Sequence, residues 1–322
     1  MSAATTKLMD ANEGHMVVRR LQYSTATVSF LLHEVPGGEL MLPYAEFLDV
    51  AVRAAHAGAA VLQNHRGARE KLVIDRKGRN DLVSQADREA EAAVIDILRR
   101  ETPELGIIGE ESGGELGREA TWYVDPLDGT TNYLHGMEHY AVSIGLVAHA
   151  GAPDAMGKAL SHDLPVVGVV YDPNREEMFT ALQGVGAWVN GHRIHCTRVD
   201  QVSDALIATG IPVRRFEYLD PYLAALKDLV LNTRGVRRQG SAALDLCWLA
   251  AGRVDAYWEQ GIQPWDVAAG CAIAREAGAR VIDPYDYQAS WPVTGRILAC
   301  APGIEQQLLD LVLPHMQDAP GL

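Results

Sequence analysis

The sequence predicts a fold of the α+β or α/β class, in which helices alternate with short buried strands. Apolar residues recur at helical spacing over residues 43–62 and again over 84–98. Short apolar runs separated by turn residues, which are typical of buried strands, follow from residue 106 onward. The chain has 322 residues and is 48% hydrophobic, which is enough for one large domain or two medium domains that share a core.

Residues 1–42 differ from the rest of the chain. Helical and strand periodicities are both weak there, and Pro36-Gly37-Gly38 closes the segment with turn residues. We therefore expect a poorly ordered N-terminal extension, followed by an α+β subdomain at 43–200 and an α/β subdomain at 201–322.

The first subdomain opens with two predicted helices. One begins at Pro43, and its apolar face carries Phe47, Ala51, Ala54, Ala55, Val61 and Leu62. The other begins at Ser84, a good N-cap residue, and ends before Pro103. Strands are predicted at residues 106–108, 122–124, 141–147 and 166–171, and a hairpin is predicted over 178–195.

The second subdomain mixes both kinds of element. Strands are predicted at 205–209 and 254–258, and helices at 242–251 and 266–277. Gly278 suits the end of the last of these helices, because glycine adopts the left-handed conformation at helix C-termini without strain.

The net charge of −14 restricts the partners that the protein can bind. An acidic surface repels nucleic acid and anionic membranes, so we expect neither as a partner. No apolar run in the sequence reaches the length of a membrane span. The same charge would also repel a phosphate ester unless metal ions reversed the local field.

The spacing of the cysteines indicates whether they are reduced or paired in disulfides. Cys196, Cys247, Cys271 and Cys300 are far apart and form no C-x-x-C pair. This spacing favours buried, reduced thiols in a cytoplasmic protein over a disulfide framework or a zinc site.

The most informative motif is D-P-L-D-G-T-T-N at residues 125–132, which follows an apolar strand. Asp125 and Asp128 at a strand end can share one hard cation, with the Leu127 carbonyl as a further oxygen ligand. Pro126 is expected to end the strand, and Thr130 and Thr131 to open a helix whose N–H groups can hold a phosphate. The alternative for a bare D-x-x-D-G is an Asx-turn with a helix cap.

Three further acids follow predicted strands or begin predicted helices. Glu110 follows a strand and, taken alone, would suit a solvated loop. Asp266 would suit the N-cap of its helix, a role that is compatible with metal binding. Asp87 lies where a strand turns into a helix.

Together these segments resemble the inositol monophosphatase family. The motifs D-L-V-x-x-x-D, G-E-E-S, D-P-L-D-G-T-T-N and W-D-x-A-A-G match in order and spacing, at residues 81–87, 109–112, 125–132 and 265–270. The resemblance covers about residues 43–311, except for an apparent insertion at 151–163. It implies a layered αβαβα sandwich of the sugar-phosphatase type and a homodimer.

The resemblance also implies a ligand set for two or three Mg²⁺ ions. Glu110, Asp125 and the Leu127 carbonyl would bind the first ion. Asp125, Asp128 and Asp266 would bind the second, and Glu110 with Asp87 would contact a weaker third.

The remaining site residues are implied in the same way. Thr130 with Asp87 would orient the attacking water, so that Asp87, Thr130 and Glu110 form the catalytic set. The start of the helix at Gly129, Thr130 and Thr131 would hold the phosphate, and Ala242 and Glu259 would border the substrate. The resemblance leaves open whether Arg76 or Lys77 supplies a family lysine.

The activity implied is hydrolysis of inositol monophosphate, or of a related small polyol or sugar phosphate, by metal-activated water and with sensitivity to lithium. All-oxygen ligands suit Mg²⁺, and clustered acids would repel a phosphate ester without it. Hydrolysis of fructose 1,6-bisphosphate or histidinol phosphate remains open, as does a non-catalytic binding partner. G-S-A-A-L at residues 240–244 disfavours the adenosine-bisphosphate branch, and Gln263 stands where animal members carry His.

Overall fold

The structure, a computed structural model, describes residues 18–22, 27–31, 44–67, 72–78, 81–213, 216–287, 289, 291–292 and 294–316. Within these ranges the helices are α1 (Ala45–His65), α2 (Gln85–Glu101), α3 (Thr130–Leu134), α4 (Leu219–Asn232), α5 (Ala242–Ala250), α6 (Pro264–Glu276) and α7 (Glu305–Met316). No helix of the described part of the chain is both long and apolar enough to cross a membrane.

The strands divide into a larger and a smaller sheet and two separate pairs. The pairs are β1 (Val18–Gln22) with β2 (Thr27–Leu31), and β3 (Ile74–Gly78) with β4 (Asp81–Ser84). The larger sheet contains β5 (Gly106–Gly109), β6 (Gly113–Glu115), β7 (Ala120–Asp128), β8 (Ala141–Ala148), β9 (Leu164–Asp172), β10 (Glu177–Leu182), β11 (Gly186–Val189) and β12 (His192–Arg193). The smaller sheet contains β13 (Leu206–Thr209), β14 (Gly235–Arg237), β15 (Ala256–Gln260), β16 (Arg280–Ile282) and β17 (Arg296–Cys300).

These elements stack as the predicted αβαβα sandwich. Helices α1 and α2 bury their apolar faces on one side of the larger sheet, whose order is β12-β11-β10-β9-β8-β7-β5-β6. Helices α5 and α6 fill the space between the two sheets. The smaller sheet, with order β14-β13-β15-β17-β16, packs its outer face on α4 and α7.

Helix α6 lies directly on the backbone of the larger sheet. A Cβ atom on Gly145 of β8 would lie 2.5 Å from the Ala269 nitrogen, and one on Gly168 of β9 would lie 2.4 Å from the Ala269 carbonyl oxygen. Only glycine allows this close approach. The contact aims the N-terminus of α6, which carries Asp266, at the end of β7.

Two predicted boundaries were wrong in ways that bear on the site. Strand β7 continues through Pro126 to Asp128, because a shift in its register with β8 accommodates the missing N–H group. Helix α6 begins at Pro264 instead of Asp266, because proline at the first helical position leaves no donor unsatisfied.

The predicted N-terminal extension lies mostly outside the described residues. Within it, β1 pairs antiparallel with β2, from Val18↔Leu31 to Gln22↔Thr27, a hairpin that the weak periodicity did not predict. Both strands pair only with each other among the described strands. We expect that deletion of residues 1–40 leaves the midpoint of thermal unfolding within about 2 °C of the full chain's. A loss of soluble protein would show that the segment belongs to the core or to a subunit contact.

Candidate active site

A cleft of about 150 Å³ brings together most of the residues that the sequence singles out. Its walls include Glu110, Leu127, Asp128, Gly129, Thr130, Thr131, Ala242, Glu259 and Asp266. Asp87 and Asp125 lie behind this lining and contact it. The structure thus groups acids that are separated by up to 179 positions in the chain.

The register shift in β7 determines how its two aspartates are placed. Asp125 pairs with Ser143 and Asp128 pairs with Ala141, so three steps on β7 oppose two steps on β8. One extra residue of this kind changes the side of the sheet on which later side chains point, which places Asp125 and Asp128 on the same side. The Leu127 N–H donates to Asp125 Oδ1 at 2.9 Å and closes the turn.

Asp87 is buried at the third position of α2. Its Oδ2 accepts from the Ser84 N–H at 3.0 Å and from the Ser84 hydroxyl. The Ser84 hydroxyl oxygen in turn accepts from the Ala86 N–H at 3.2 Å, so Ser84 and Asp87 form a capping box. The Thr130 hydroxyl oxygen lies 3.1 Å from Asp87 Oδ1 and also 3.1 Å from the Leu127 carbonyl oxygen. The structure therefore joins Asp87 and Thr130 directly, although 43 positions separate them.

Asp128 and Asp266 also lie at helix N-termini. Asp128 Oδ2 accepts from the Ser241 hydroxyl at 2.6 Å and from the Ala243 N–H at 2.7 Å, at the start of α5. Asp266 is the third residue of α6, and its Oδ2 accepts from the Gln263 N–H at 2.7 Å. The expectation that Asp266 is an N-cap residue was wrong, because the helix begins two residues earlier. Helix dipoles stabilise both carboxylates.

Asp125 is a buried carboxyl group that is surrounded by other acids. Its side chain is 2% exposed, and burial raises its pKa well above the usual range of a carboxyl group. The negative charges of Glu110, Asp128 and Asp266 raise this pKa further. Four carboxylates therefore repel one another within a partly dehydrated site.

The donor set fits a hard divalent cation. Every candidate ligand atom is a carboxylate or carbonyl oxygen, the type that Mg²⁺ prefers, and a cation would relieve the repulsion around Asp125. Within the described ranges, no group of three or more His, Cys, Asp or Glu side chains is already disposed to hold a metal ion. The donor chemistry suits the ion, while the number and identity of ions remain predictions.

The start of α3 has the backbone shape expected of the phosphate side. Gly129 is the N-cap residue and adopts φ +100, a conformation that strains any residue with a Cβ. The Asn132 side-chain amide donates to the carbonyls of His139 and Gln239, both at 2.8 Å. These bonds tie α3, the helix that follows β7, to the segment that precedes α5. Thr131 is exposed in the cleft.

Glu91 is a functional residue that the sequence interpretation missed. Its carboxylate is buried in α2 and accepts from the N–H groups of Glu111 and Ser112, both at 2.8 Å. Gly109 leaves room for it, since a Cβ there would lie 2.5 Å from Glu91 Oε2. Glu91 therefore holds the loop that carries Glu110. The sequence signal that could have revealed Glu91 is its position on the mostly apolar face of α2, one turn after Asp87.

The substrate side contains further polar residues that sequence reasoning did not select. Asp245 of α5 lines the cleft, and burial raises its pKa well above the usual range, with the charges of Glu259 and Asp128 as further causes. Among the described residues that line the cleft, Arg238 carries the positive charge. The side chains of Arg76 and Lys77, between which the resemblance did not decide, lie outside the described residues.

All four cysteines are free, as predicted. Cys247, Cys271 and Cys300 are buried, whereas Cys196 is half-buried. None of them lines the cleft.

Comparisons with known proteins identify the family of this chain. The model of the inositol monophosphatase family matches residues 44–319. The chain belongs to the inositol monophosphatase family. The match begins after the N-terminal extension and covers both sheets, so inositol monophosphatase family membership describes the whole sandwich.

Two relatives illustrate the breadth of the inositol monophosphatase family. The inositol-1-monophosphatase of Synechocystis is 41% identical over 81% of this chain and 87% of its own length. The Nus factor SuhB of Escherichia coli is 38% identical over 84% of this chain and 97% of its own length.

Solved structures confirm the fold. The extragenic suppressor protein SuhB from Bartonella henselae superimposes with a TM-score of 0.73 at 36% identity, and covers 83% of this chain and 98% of that one. The inositol monophosphatase from Anabaena gives a TM-score of 0.68 at 38% identity, with 86% and 97% covered. The chain is therefore similar both to proteins named as phosphatases and to proteins named SuhB.

Proposed function

We propose that this protein is a Mg²⁺-dependent phosphomonoesterase that hydrolyses inositol monophosphate or a related small polyol phosphate. The observation that carries the proposal is the burial of Asp125 among Glu110, Asp128 and Asp266, beside the helix start at Gly129 and Thr130. Such a set of acids is unfavourable in a protein of charge −14 unless it holds cations. The relative named inositol-1-monophosphatase supports the choice of substrate.

Metal would be held by Glu110, Asp125, Asp128, Asp266 and the Leu127 carbonyl. With Mg²⁺ bound, this set would supply neutralisation of the phosphate charge, a water of lowered pKa and stabilisation of the leaving alkoxide. Glu91 supports this set from behind by holding the Glu110 loop through two backbone N–H groups.

Thr130 and Asp87 orient the attacking water. The Thr130 hydroxyl has one proton, and donation to the Asp87 carboxylate leaves the Thr130 oxygen as an acceptor for that water. As the Thr130 oxygen takes up the proton released from the water, the Thr130 hydroxyl proton passes to the Asp87 carboxylate. The capping box with Ser84 keeps Asp87 Oδ1 directed at Thr130.

A phosphate-release screen tests the proposal. Inositol monophosphate, fructose 1,6-bisphosphate, histidinol phosphate and an aryl phosphate would be compared with and without Mg²⁺. We expect the highest kcat/KM with a polyol monophosphate. A preference for fructose 1,6-bisphosphate or histidinol phosphate would reassign the substrate, and no release from any ester would refute a phosphatase.

A role as a Nus factor is the second candidate function, since a relative that is 38% identical to this chain carries that name. This role would make the chain a binding partner with or without catalysis. The two functions separate in a strain that lacks its own SuhB. Equal complementation by the intact chain and by Asp266→Asn would show that the binding role does not need phosphate release.

Glu259 is expected to recognise the alcohol part of the substrate without taking part in the chemistry. A carboxylate that accepts hydrogen bonds from hydroxyls contributes about 1.5–3 kcal/mol, so Glu259→Ala should lower kcat/KM for a polyol phosphate by about 10- to 150-fold. Hydrolysis of an aryl phosphate should hardly change. Equal losses for both substrates would instead indicate that Glu259 supports the metal site or the fold.

A further inference from the structure

We propose that Tyr257 and Gly210 are positioning residues that fix the Glu259 carboxylate in the cleft and so set the preference for hydroxyl-rich phosphate esters. The proposal rests on the function proposed above and adds the two residues through which Glu259 would act. Both lie outside the metal motifs, and one of them contributes only the absence of a side chain.

Tyr257 holds one carboxylate oxygen of Glu259. The two residues are alternate positions of β15, so their side chains share one face of the smaller sheet. The Tyr257 hydroxyl donates to Glu259 Oε2 at 2.5 Å. The Tyr257 ring is fully buried, in the same apolar cluster as Leu246 and Leu249 of α5, so its hydroxyl has little freedom to move. Burial also raises the pKa of Tyr257 well above its usual value, which keeps the phenol protonated as a donor.

Gly210 provides the space that the carboxylate occupies. It follows β13, which runs parallel to β15 with Thr209 opposite Trp258. The Thr209 hydroxyl donates to the Trp258 carbonyl at 2.7 Å and fixes this register. A Cβ atom on Gly210 would lie 1.9 Å from Glu259 Oε1 and 2.1 Å from Glu259 Oε2. Any other residue at position 210 would therefore displace the carboxylate.

These contacts hold Glu259 from two directions. Tyr257 donates a hydrogen bond to Oε2, and the backbone of Gly210 packs closely against the carboxylate. Gly210 and Glu259 both line the cleft, so the fixed carboxylate faces the space that the substrate enters. An acceptor that is already oriented loses less conformational entropy when it binds a hydroxyl. The rigidity matters for a polyol phosphate, whose alcohol part carries further hydroxyl groups, and is irrelevant for an aryl phosphate, whose alcohol part carries none.

The test compares Tyr257→Phe and Gly210→Ala with the intact chain, on inositol monophosphate and on an aryl phosphate in the presence of Mg²⁺. Tyr257→Phe keeps the buried ring and removes only the donor, so KM for inositol monophosphate should rise about 3- to 10-fold with kcat within about twofold. Gly210→Ala should raise KM by at least about 10-fold. For the aryl phosphate, neither KM nor kcat should change by more than about twofold in either variant.

A matched control and a double-mutant cycle separate positioning from general damage. Tyr44→Phe removes a buried tyrosine hydroxyl that donates to the Pro153 carbonyl at 2.7 Å, away from the cleft, and should leave both substrates unchanged. In a Glu259→Ala background, Tyr257→Phe and Gly210→Ala should have no further effect beyond about twofold, because they act through the missing carboxylate.

Two kinds of failure are distinguishable. Equal losses on both esters, no loss on either, or a full additional loss in the Glu259→Ala background would overturn the positioning role alone. Intact protein that releases phosphate from neither ester would overturn the proposed function, and this proposal with it.

Discussion

Chelation of divalent cations should lower phosphate release from inositol monophosphate to less than about 1% of its starting rate, and added Mg²⁺ should restore it. The reason is the group of four carboxylates formed by buried Asp125 with Glu110, Asp128 and Asp266. A cation relieves their mutual repulsion, and their negative field would otherwise exclude a phosphate ester. The rate would be measured after EDTA treatment and removal of the chelator, over a titration of Mg²⁺.

Thermal unfolding provides a readout that does not depend on turnover. Mg²⁺ that binds the folded state should raise the midpoint of unfolding, with a stabilisation of about 2.7 kcal/mol at a concentration 100 times Kd. K⁺ at matched ionic strength serves as the control for screening. Full activity in metal-free buffer, or an unfolding midpoint that Mg²⁺ does not change, would contradict the proposed metal site.

Asp266→Asn should lower kcat/KM by at least about 100-fold while stability changes little. The Asp266 side chain caps the start of α6 by accepting from the Gln263 N–H, and an asparagine oxygen can accept the same bond. The substitution removes the negative charge that a metal ion would use. Steady-state rates at saturating Mg²⁺ and the midpoint of thermal unfolding would be measured together.

Asp154→Asn is the matched control for this variant. Asp154 also accepts backbone hydrogen bonds, from Met156 at 2.9 Å and Lys158 at 2.8 Å, but it lies outside the cleft. The Asp154→Asn variant should keep normal turnover. Near-normal turnover of Asp266→Asn as well would reduce Asp266 to a capping residue, and a large loss of stability would show that the cap needs the charge.

The parts of the site that local motifs encode could be predicted from the sequence. Asp125, Asp128 and Thr130 lie within six consecutive residues, and turn chemistry alone brings them to one strand end. Ser84 and Asp87 form the capping box that their spacing allows, and the amphipathic patterns of α1 and α2 predicted both helices. In each case the interactions that determine the structure lie within a few positions of one another.

The parts that depend on distant partners could not be predicted. The continuation of β7 through Pro126 depends on pairing with β8, which no local pattern reveals. Contacts of Glu91 with the Glu110 loop, and of Gly210 with Glu259, join positions about 20 and 49 apart. A glycine that is needed for the space beside a carboxylate has the same appearance in a sequence as a glycine in any loop.

The contact of α6 with Gly145 and Gly168 has a consequence for how the molecule comes apart. Helix α6 follows the larger sheet in sequence, yet it covers that sheet's inner face and the smaller sheet's core at once. The two sheets therefore share one interior, and neither sheet can unfold without exposing apolar surface of the other. This arrangement favours a single cooperative unfolding transition. A compound that separated α6 from the two glycines would disturb both sheets and would withdraw Asp266 from the cleft. Such a compound would be expected to inhibit the protein without occupying the cleft itself.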